Sequence, residues 1–323
     1  MDSLLAYARD HQRQIAALIK LMVECESPSD DPRALDRFAA LLCDVVAPMA
    51  DIRTWRQGHV RCTFRLPGKS RRGQVLVLGH SDTVWPMGTL DSMPFREKGG
   101  RLWGPGVLDM KSGLAFFVFA MRALRDLEIP VSRRVVLQIN ADEEVGSATS
   151  RALTEEAARK SDMVLVLEPG TGLEGKLKTA RKGVGSYTVK VRGKASHAGV
   201  DFAAGASAIV ELARQIDRIA RFSDPARGVT VNPGVIGGGT RSNVIAAEAS
   251  AEVDIRLPRL RDERALDRKF RALRPIDKRC TMELSGGMNR PPLERSAGVR
   301  RLFAKASKLA AELSVALEES ATG

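Results

Sequence analysis

The stretch VLVLGHSD (75–82) runs from an apolar, strand-length segment straight into His80 and Asp82. Three further segments end in the same way. GVLDMKSG (106–113) carries Asp109, VVLQINADEEVG (135–146) carries Glu143 and Glu144, and MVLVLEPG (163–170) carries Glu168. Each reads as a strand followed by a polar turn. Helical patterns fall between them, in KSGLAFFVFAMRALRDL (111–127) and SATSRALTEEAARK (147–160). This alternation predicts an α/β fold, a mostly parallel sheet with helices on both faces. In such a sheet, function collects beyond the carboxyl ends of the strands. One His and several Asp and Glu at that edge are the residue types that a metal site with hard and borderline ligands needs.

Working outward, residues 1–50 read as two helices joined by the turn ESPSDDPRA (26–34), in which Ser29 or Asp30 can cap the second helix. VRCTFRL (60–66) alternates like a strand, and PGKSRRG (67–73) reads as a turn. Near residue 178 the texture changes. SYTVKVRGKA (186–195) has the period of two of a half-exposed strand, a helix follows at 206–222, and two strand-like runs, a basic helix and TMELSGG (281–287) complete the series. The order β-α-β-β-α-β predicts a ferredoxin-like unit. Residues 291–318 return to helix. Three stretches result: 1–178 forms the first part of one domain, 179–290 an inserted domain, and 291–323 the second part of the first.

Composition narrows the function classes. The chain has 323 residues, 44% hydrophobic and 28% charged, as soluble globular proteins do. No run approaches the roughly 20 apolar residues that span a bilayer, and MDSLLAYARDHQRQ does not read as a secretory signal. Cys25, Cys43, Cys62 and Cys280 form no CxxC pair, which suits reduced thiols in a cytoplasmic protein. The net charge is +12, but the densest basic stretch, 256–279, interleaves acids and carries a helical apolar pattern. That favours a solvated helix face over a nucleic-acid surface. With aromatics at 5%, stacking platforms for single strands are scarce. Neither nucleic acid nor membrane is an expected partner.

The candidate ligands each have a plain reading and a chemical one. His80 and Asp82 lie two residues apart, so on an extended backbone they face one side; the imidazole can bind a metal while Asp82 orients its ring. Asp109 follows Gly104, Pro105 and Gly106, which shape a tight backbone approach, although a lone Asp can simply cap the next helix. Glu143 and Glu144 are adjacent and point in different directions. One can ligate while the other moves a proton, or the pair can merely open a helix whose dipole suits acids. Glu168 carries the same ambiguity. His11 and His59 are not expected to be ligands.

Taken together and in order, these residues resemble one family. GHSDTVWP (79–86), GPGVLDMKSG (104–113), ADEEVGS (141–147), LEPG (167–170), ARKGVGSYTVKVRGKASHAG (180–199) and GGGTRSNVIAAEASAEVDIR (237–256) are similar to the dizinc hydrolases that comprise glutamate carboxypeptidase, aminoacylase, acetylornithine deacetylase and succinyl-diaminopimelate desuccinylase. The wording is most like the glutamate carboxypeptidase branch. The resemblance implies a catalytic zinc-binding domain in 1–178 and 291–323, and a dimerisation or lid domain in 179–290. It implies two Zn2+ ions, with Co2+ or Mn2+ as substitutes. His80 and Glu168 would hold the first ion, Glu144 the second, and Asp109 would bridge them; the Asp109–Met110 peptide would be cis. Glu143 would be the general base and Asp82 the partner of His80. His197 would polarise the scissile carbonyl, and Asn243 and Arg256 would hold the substrate. The implied activity is metal-dependent cleavage of an amide bond in a small peptide or N-acyl amino acid with a free carboxylate, by a homodimer. Acidic C-terminal residues are favoured, with Arg181 and Lys182 adding positive charge. An N-acyl amino acid deacylase and a non-catalytic binding relic are the alternatives. Members of the family continue to a final His that ligates the second metal, whereas the last histidine here is His197. On this reading the chain is C-terminally truncated, carries four of the five expected ligands, and would bind one metal weakly at best and be impaired or inactive.

Overall fold

The structure is a computed structural model and describes residues 2–69 and 72–323. Ser70 and Arg71, in the middle of the predicted PGKSRRG turn, lie outside the described residues. The chain divides into two compact units, 1–169 and 170–323. Among the described residues no helix is long and apolar enough to cross a membrane.

The first unit holds strands β1 (Ala50–Thr54), β2 (Val60–Phe64), β3 (Gln74–His80), β4 (Arg96–Lys98), β5 (Arg101–Trp103), β6 (Arg134–Asn140) and β7 (Met163–Val166). Its helices are α1 (Asp2–Asp10), α2 (Gln12–Glu24), α3 (Pro32–Val46), α4 (Thr89–Ser92), α5 (Ser112–Asp126) and α6 (Arg151–Arg159). Five strands form one sheet in the order β1-β2-β6-β3-β7. β3 runs parallel to β6 and to β7, but β1–β2 and β2–β6 are antiparallel. The sheet is therefore mixed and not mostly parallel. β1 and β2 are joined by a short turn, and such a connection can only make an antiparallel pair.

Alternation along the central strands explains why both faces are covered. Val77, Val135, Leu137 and Ile139 face one core with Leu18, Met22, Phe38, Leu42, Leu114 and Val118 from α2, α3 and α5. Leu76 and Val136 face the other side and meet Ala157 of α6. In α3 the buried positions Ala34, Leu35, Phe38, Ala39, Leu42 and Val46 recur at helical spacing. Its cap is Asp31, which accepts from the amides of Arg33 (2.9 Å) and Ala34 (3.0 Å) ahead of Pro32 at the first turn. The predicted caps Ser29 and Asp30 are displaced by one or two residues, because Ser29 has another partner described below. The N-terminal segment also holds two helices, not one, with His11 at the break.

The register of the sheet sets up the site. His80 closes β3 opposite Asn140, the last residue of β6, and Leu78 pairs with Val166, the last residue of β7. Glu143, Glu144 and Glu168 follow within a few residues of those ends. Asp109 arrives differently. Val107–Lys111 is an irregular helical turn, not a strand end. Gly106 at φ 67° reverses the chain there, a conformation that favours glycine.

The second unit contains β8 (Leu177–Arg181), β9 (Gly183–Arg192), β10 (Thr230–Gly238), β11 (Glu248–Leu257), β12 (Thr281–Arg290) and β13 (Glu319–Thr322), with α7 (Ala208–Ala220), α8 (Leu260–Arg271) and α9 (Ala297–Glu312). The antiparallel order β10-β11-β9-β12 with α7 and α8 inserted is the ferredoxin-like arrangement expected from the sequence. Tyr187, Val189 and Val191 of β9 point into a core with Leu212, Ile219, Leu266 and Phe270. Tyr187 stacks on Phe270 with ring centroids 3.9 Å apart. The basic helix α8 buries Leu266 and Phe270, and Arg271 pairs with Asp267 at 2.7 Å. α9 buries none of its side chains, and Leu309 stays exposed. The sequence reading returned 291–323 to the first domain; here β13 pairs in parallel with β8, inside the second unit.

Glu211 of α7 is buried and accepts from Gln215 Nε2 (2.7 Å) and from the amides of Ile276 and Asp277 (both 2.9 Å). Burial raises its pKa, but these bonds outweigh that and leave it lowered from 4.5. The unfolded chain thus binds the proton more readily, so the stabilisation is full above about pH 4.5 and fades as pH falls through the folded value. Glu211→Gln should lower stability at neutral pH by about 1–3 kcal/mol and flatten the acid limb of the unfolding midpoint, read by urea titrations between pH 3 and 7.

Candidate metal centre

His80 is buried at 2% exposure and is the hub of the site. Its Nδ1 lies 2.9 Å from the Asp82 carbonyl oxygen, so the Nδ1 proton is donated there. The other nitrogen, Nε2, faces Asp109 Oδ1 at 3.0 Å and Glu168 Oε1 at 3.5 Å. A neutral ring would aim its Nε2 lone pair at two carboxylates, which is unfavourable unless a cation stands between them. Without such a cation a proton serves. Burial opposes a charge on His80, but Asp109, Asp82 and Glu168 outweigh burial and push its pKa up to about 12. Glu144 is raised, by burial first and then by the charge of Asp109.

Among the described residues, ligand atoms of His80, Asp109 and Glu144 lie within 4.8 Å of one another, and so do those of His80, Glu143 and Glu168. One imidazole and four convergent carboxylates fit a divalent cation with mixed nitrogen and oxygen preference, as zinc has. Every sequence-predicted ligand is in this cluster. The grouping differs in one respect from the expected roles: Glu143, reserved there as the general base, shares the His80–Glu168 set.

Asp82 ties the cluster together from beneath. Its Oδ1 accepts the Glu143 amide at 3.1 Å, and its Oδ2 accepts the Glu144 amide at 3.0 Å and the Ser29 hydroxyl at 2.8 Å. The backbone of the two glutamates is therefore hung on the residue that follows His80 by two. The Asp109 turn is fastened by its other end. Asp109–Met110 is a cis peptide, as expected. Lys111 is buried, donates from Nζ to the Cys25 carbonyl at 2.9 Å, and lies 4.9 Å from the Phe38 ring centroid. Burial pushes its pKa down to about 8. Gly113 opens the way for Glu168: a Cβ there would meet the Leu167 carbonyl oxygen at 2.2 Å. Ser29 and Lys111 were missed as site residues because their partners, a distant carboxylate and a helix-end carbonyl, leave no local pattern.

In the second unit His197 and Asn243 come together. Ala198 N donates to the Asn243 carbonyl at 3.0 Å, and His197 bridges Val244. His197 is exposed, and its Nδ1 accepts the Gly199 amide at 3.1 Å. Its Nε2 therefore carries the proton and is a donor. Arg256 stands apart on β11, paired with Asp254 at 2.9 Å. His11 stacks on Tyr7 at 3.9 Å between centroids. His59 is buried and touches the backbone next to the site, a contact taken up below.

The chain is similar to several known peptidases. The description "Peptidase dimerisation domain" matches residues 179–275, and "Peptidase family M28" matches 62–187. Carboxypeptidase G2 from Pseudomonas sp. (strain RS-16) is 34% identical over 195 residues, 60% of this chain and 47% of that protein. The chain thus matches about half the length of that relative. Aminopeptidase PepT from Bacillus cereus superposes with a TM-score of 0.77 at 20% identity, covering 96% of this chain and 84% of its own. A dinuclear metal binding peptidase of the M20 family from Bacillus subtilis superposes at 0.66 and 13% identity, covering 98% and 84%. Both structural likenesses bear on the fold alone.

Two substitutions check the geometry. Asp82→Asn replaces an acceptor oxygen with an NH2 group facing an amide or hydroxyl donor, and should weaken divalent-metal binding about 10–100-fold in chelator competition. Gly113→Ala forces the Leu167 backbone away and should cost about 1–3 kcal/mol in urea unfolding, with divalent-metal affinity falling alongside.

Proposed function

We propose that this chain, which is similar to peptidases over residues 62–187 and 179–275, is a zinc peptidase that hydrolyses an amide bond in a small peptide or N-acyl amino acid that carries a free carboxylate. The observation that carries the reading is the convergence of His80 with Asp109, Glu143, Glu144 and Glu168 at one edge of the sheet. His80, Asp109, Glu144 and Glu168 would hold zinc, two ions where the ligand set is complete, for which manganese or cobalt could substitute. When bound, the metal would polarise a carbonyl and make water more acidic.

The chain's own residues supply the rest. Glu143 takes a proton from the attacking water and delivers it to the leaving nitrogen, as a positioned carboxylate can. Asp82 fixes the tautomer of His80 and the backbone of both glutamates. His197 donates from Nε2 to the carbonyl oxygen as charge develops there. Asn243 and Arg256 hold the substrate, the guanidinium matching a carboxylate with its paired donors. Arg181 and Lys182 add positive charge that favours an acidic C-terminal residue. The carboxypeptidase relative supports the peptidase reading over the deacylase and over a binding relic. The match to a peptidase dimerisation domain supports a homodimer formed through 179–290. The four free cysteines suit the reducing cytoplasm.

The test is metal content together with turnover on N-acyl-glutamates, dipeptides and N-acetyl or N-succinyl amino acids. Bound zinc, cleavage that a chelator abolishes and zinc restores, and preference for acidic C-terminal residues are expected. Glu143→Gln should lower kcat about 10²–10⁴-fold with zinc retained. A protein that binds no divalent metal and turns over nothing in the panel overturns the reading.

A further inference from the structure

His59 stands at the entry to β2, buried at 2% exposure, and no step above uses it. Its place is tightly set. Gly58 before it has φ 77°, and a Cβ there would lie 3.0 Å from the Leu35 carbonyl oxygen. The His59 carbonyl accepts the Trp55 amide at 2.9 Å. The ring then reaches the segment that carries the glutamates. His59 Nδ1 accepts the Ala141 amide at 3.1 Å. That bond leaves the ring proton on Nε2, which donates to Thr149 Oγ1 at 2.9 Å. Thr149 in turn donates to Asp142 Oδ2 at 2.7 Å, and the same oxygen accepts the amides of Thr149 (2.7 Å) and Ser150 (3.2 Å). On the far side Asp82 takes the amides of Glu143 and Glu144.

The segment Ala141–Glu144 is thus gripped twice, by His59 at its start and Asp82 at its end. The turn also closes on itself, Ser147 N donating to the Asp142 carbonyl at 2.7 Å and Gly146 N to the Glu143 carbonyl at 3.0 Å. His59 is the side chain that ties the start of this turn to β2, and it narrows where the two carboxylates point. The relay has one direction: amide into imidazole, imidazole into hydroxyl, hydroxyl into carboxylate. A side chain must accept at one end and donate at the other to complete it, which a neutral imidazole does in a single ring.

We propose that His59 is a positioning residue for Glu143 and Glu144, holding the Ala141 amide directly and the Asp142 carboxylate through Thr149. Its consequence for metal binding rests on the function proposed above; its hold on the backbone does not. The test separates the two. Asparagine places an acceptor where Nδ1 stands, and alanine places none. In the metal-free protein, His59→Ala should speed amide hydrogen exchange at Ala141, Glu143 and Glu144 by about tenfold, with residues 135–139 of β6 still protected. In chelator competition His59→Ala should weaken zinc binding about 10–100-fold, and His59→Asn should recover it to within about threefold of wild type. Unchanged exchange at 141–144 in His59→Ala overturns the proposal. So does equal loss of protection along β6, which marks general destabilisation, or an Asn variant as impaired as the Ala variant. If the wild-type chain binds no zinc, the metal reading fails, while the exchange measurement still decides whether His59 holds the glutamates.

Discussion

Two hydrogen bonds, from the amides of Glu143 and Glu144 to the Asp82 carboxylate, hold the first unit's chemistry in one place. They join the turn after β6 to the turn after β3, which the sheet register has already brought level at His80 and Asn140. Crowding five carboxylates around one imidazole is electrostatically costly. The arrangement persists because each backbone is fastened independently of the charges it carries: Asp82 and His59 fix the 141–144 segment, Lys111 and Cys25 fix the Asp109 turn, and the β3–β7 pairing fixes the approach to Glu168. The cluster is pre-formed by side chains that bond to backbone groups, and a cation entering it would meet candidate ligands already aimed.

Much of this was legible in the sequence because strands announce themselves by apolar runs and the ligands follow those runs at once. The positions of His80, Glu143, Glu144 and Glu168 needed nothing more, but their separate roles came from the family resemblance. The ferredoxin-like unit was legible for a similar reason: SYTVKVRGKA alternates cleanly, and Tyr187, Val189 and Val191 do face its core. Strand direction was not. VRCTFRL has the same pattern whichever way it runs, so its antiparallel pairing with β6 escaped notice. Asp109 was found for the wrong structural reason, since its short apolar run belongs to a turn governed by Gly106 and not to a strand.

The supporting residues were the least legible. His59 contacts a backbone amide 82 positions away, and a backbone amide has no residue type to recognise. Ser29 was read as a helix cap because a serine before a helix usually is one; Asp31 took that role and freed the Ser29 hydroxyl for Asp82. A buried histidine directly after a glycine at the mouth of a strand is a faint signal that would have pointed to His59. Candidate ligands were legible from chemistry, and their supports became visible only once the topology had placed them.

The parallel pairing of β13 with β8 has a topological corollary. Glu319 lies beside Leu177 and Thr322 beside Arg181, so the chain returns in the same direction alongside the strand by which it entered this unit. A parallel return needs a crossover between its two strands, and here the whole ferredoxin-like fold, with its own core, is that crossover. Every residue from Gly183 to Glu312 is threaded between two strands of only a few residues each, so those short strands frame a far larger insert.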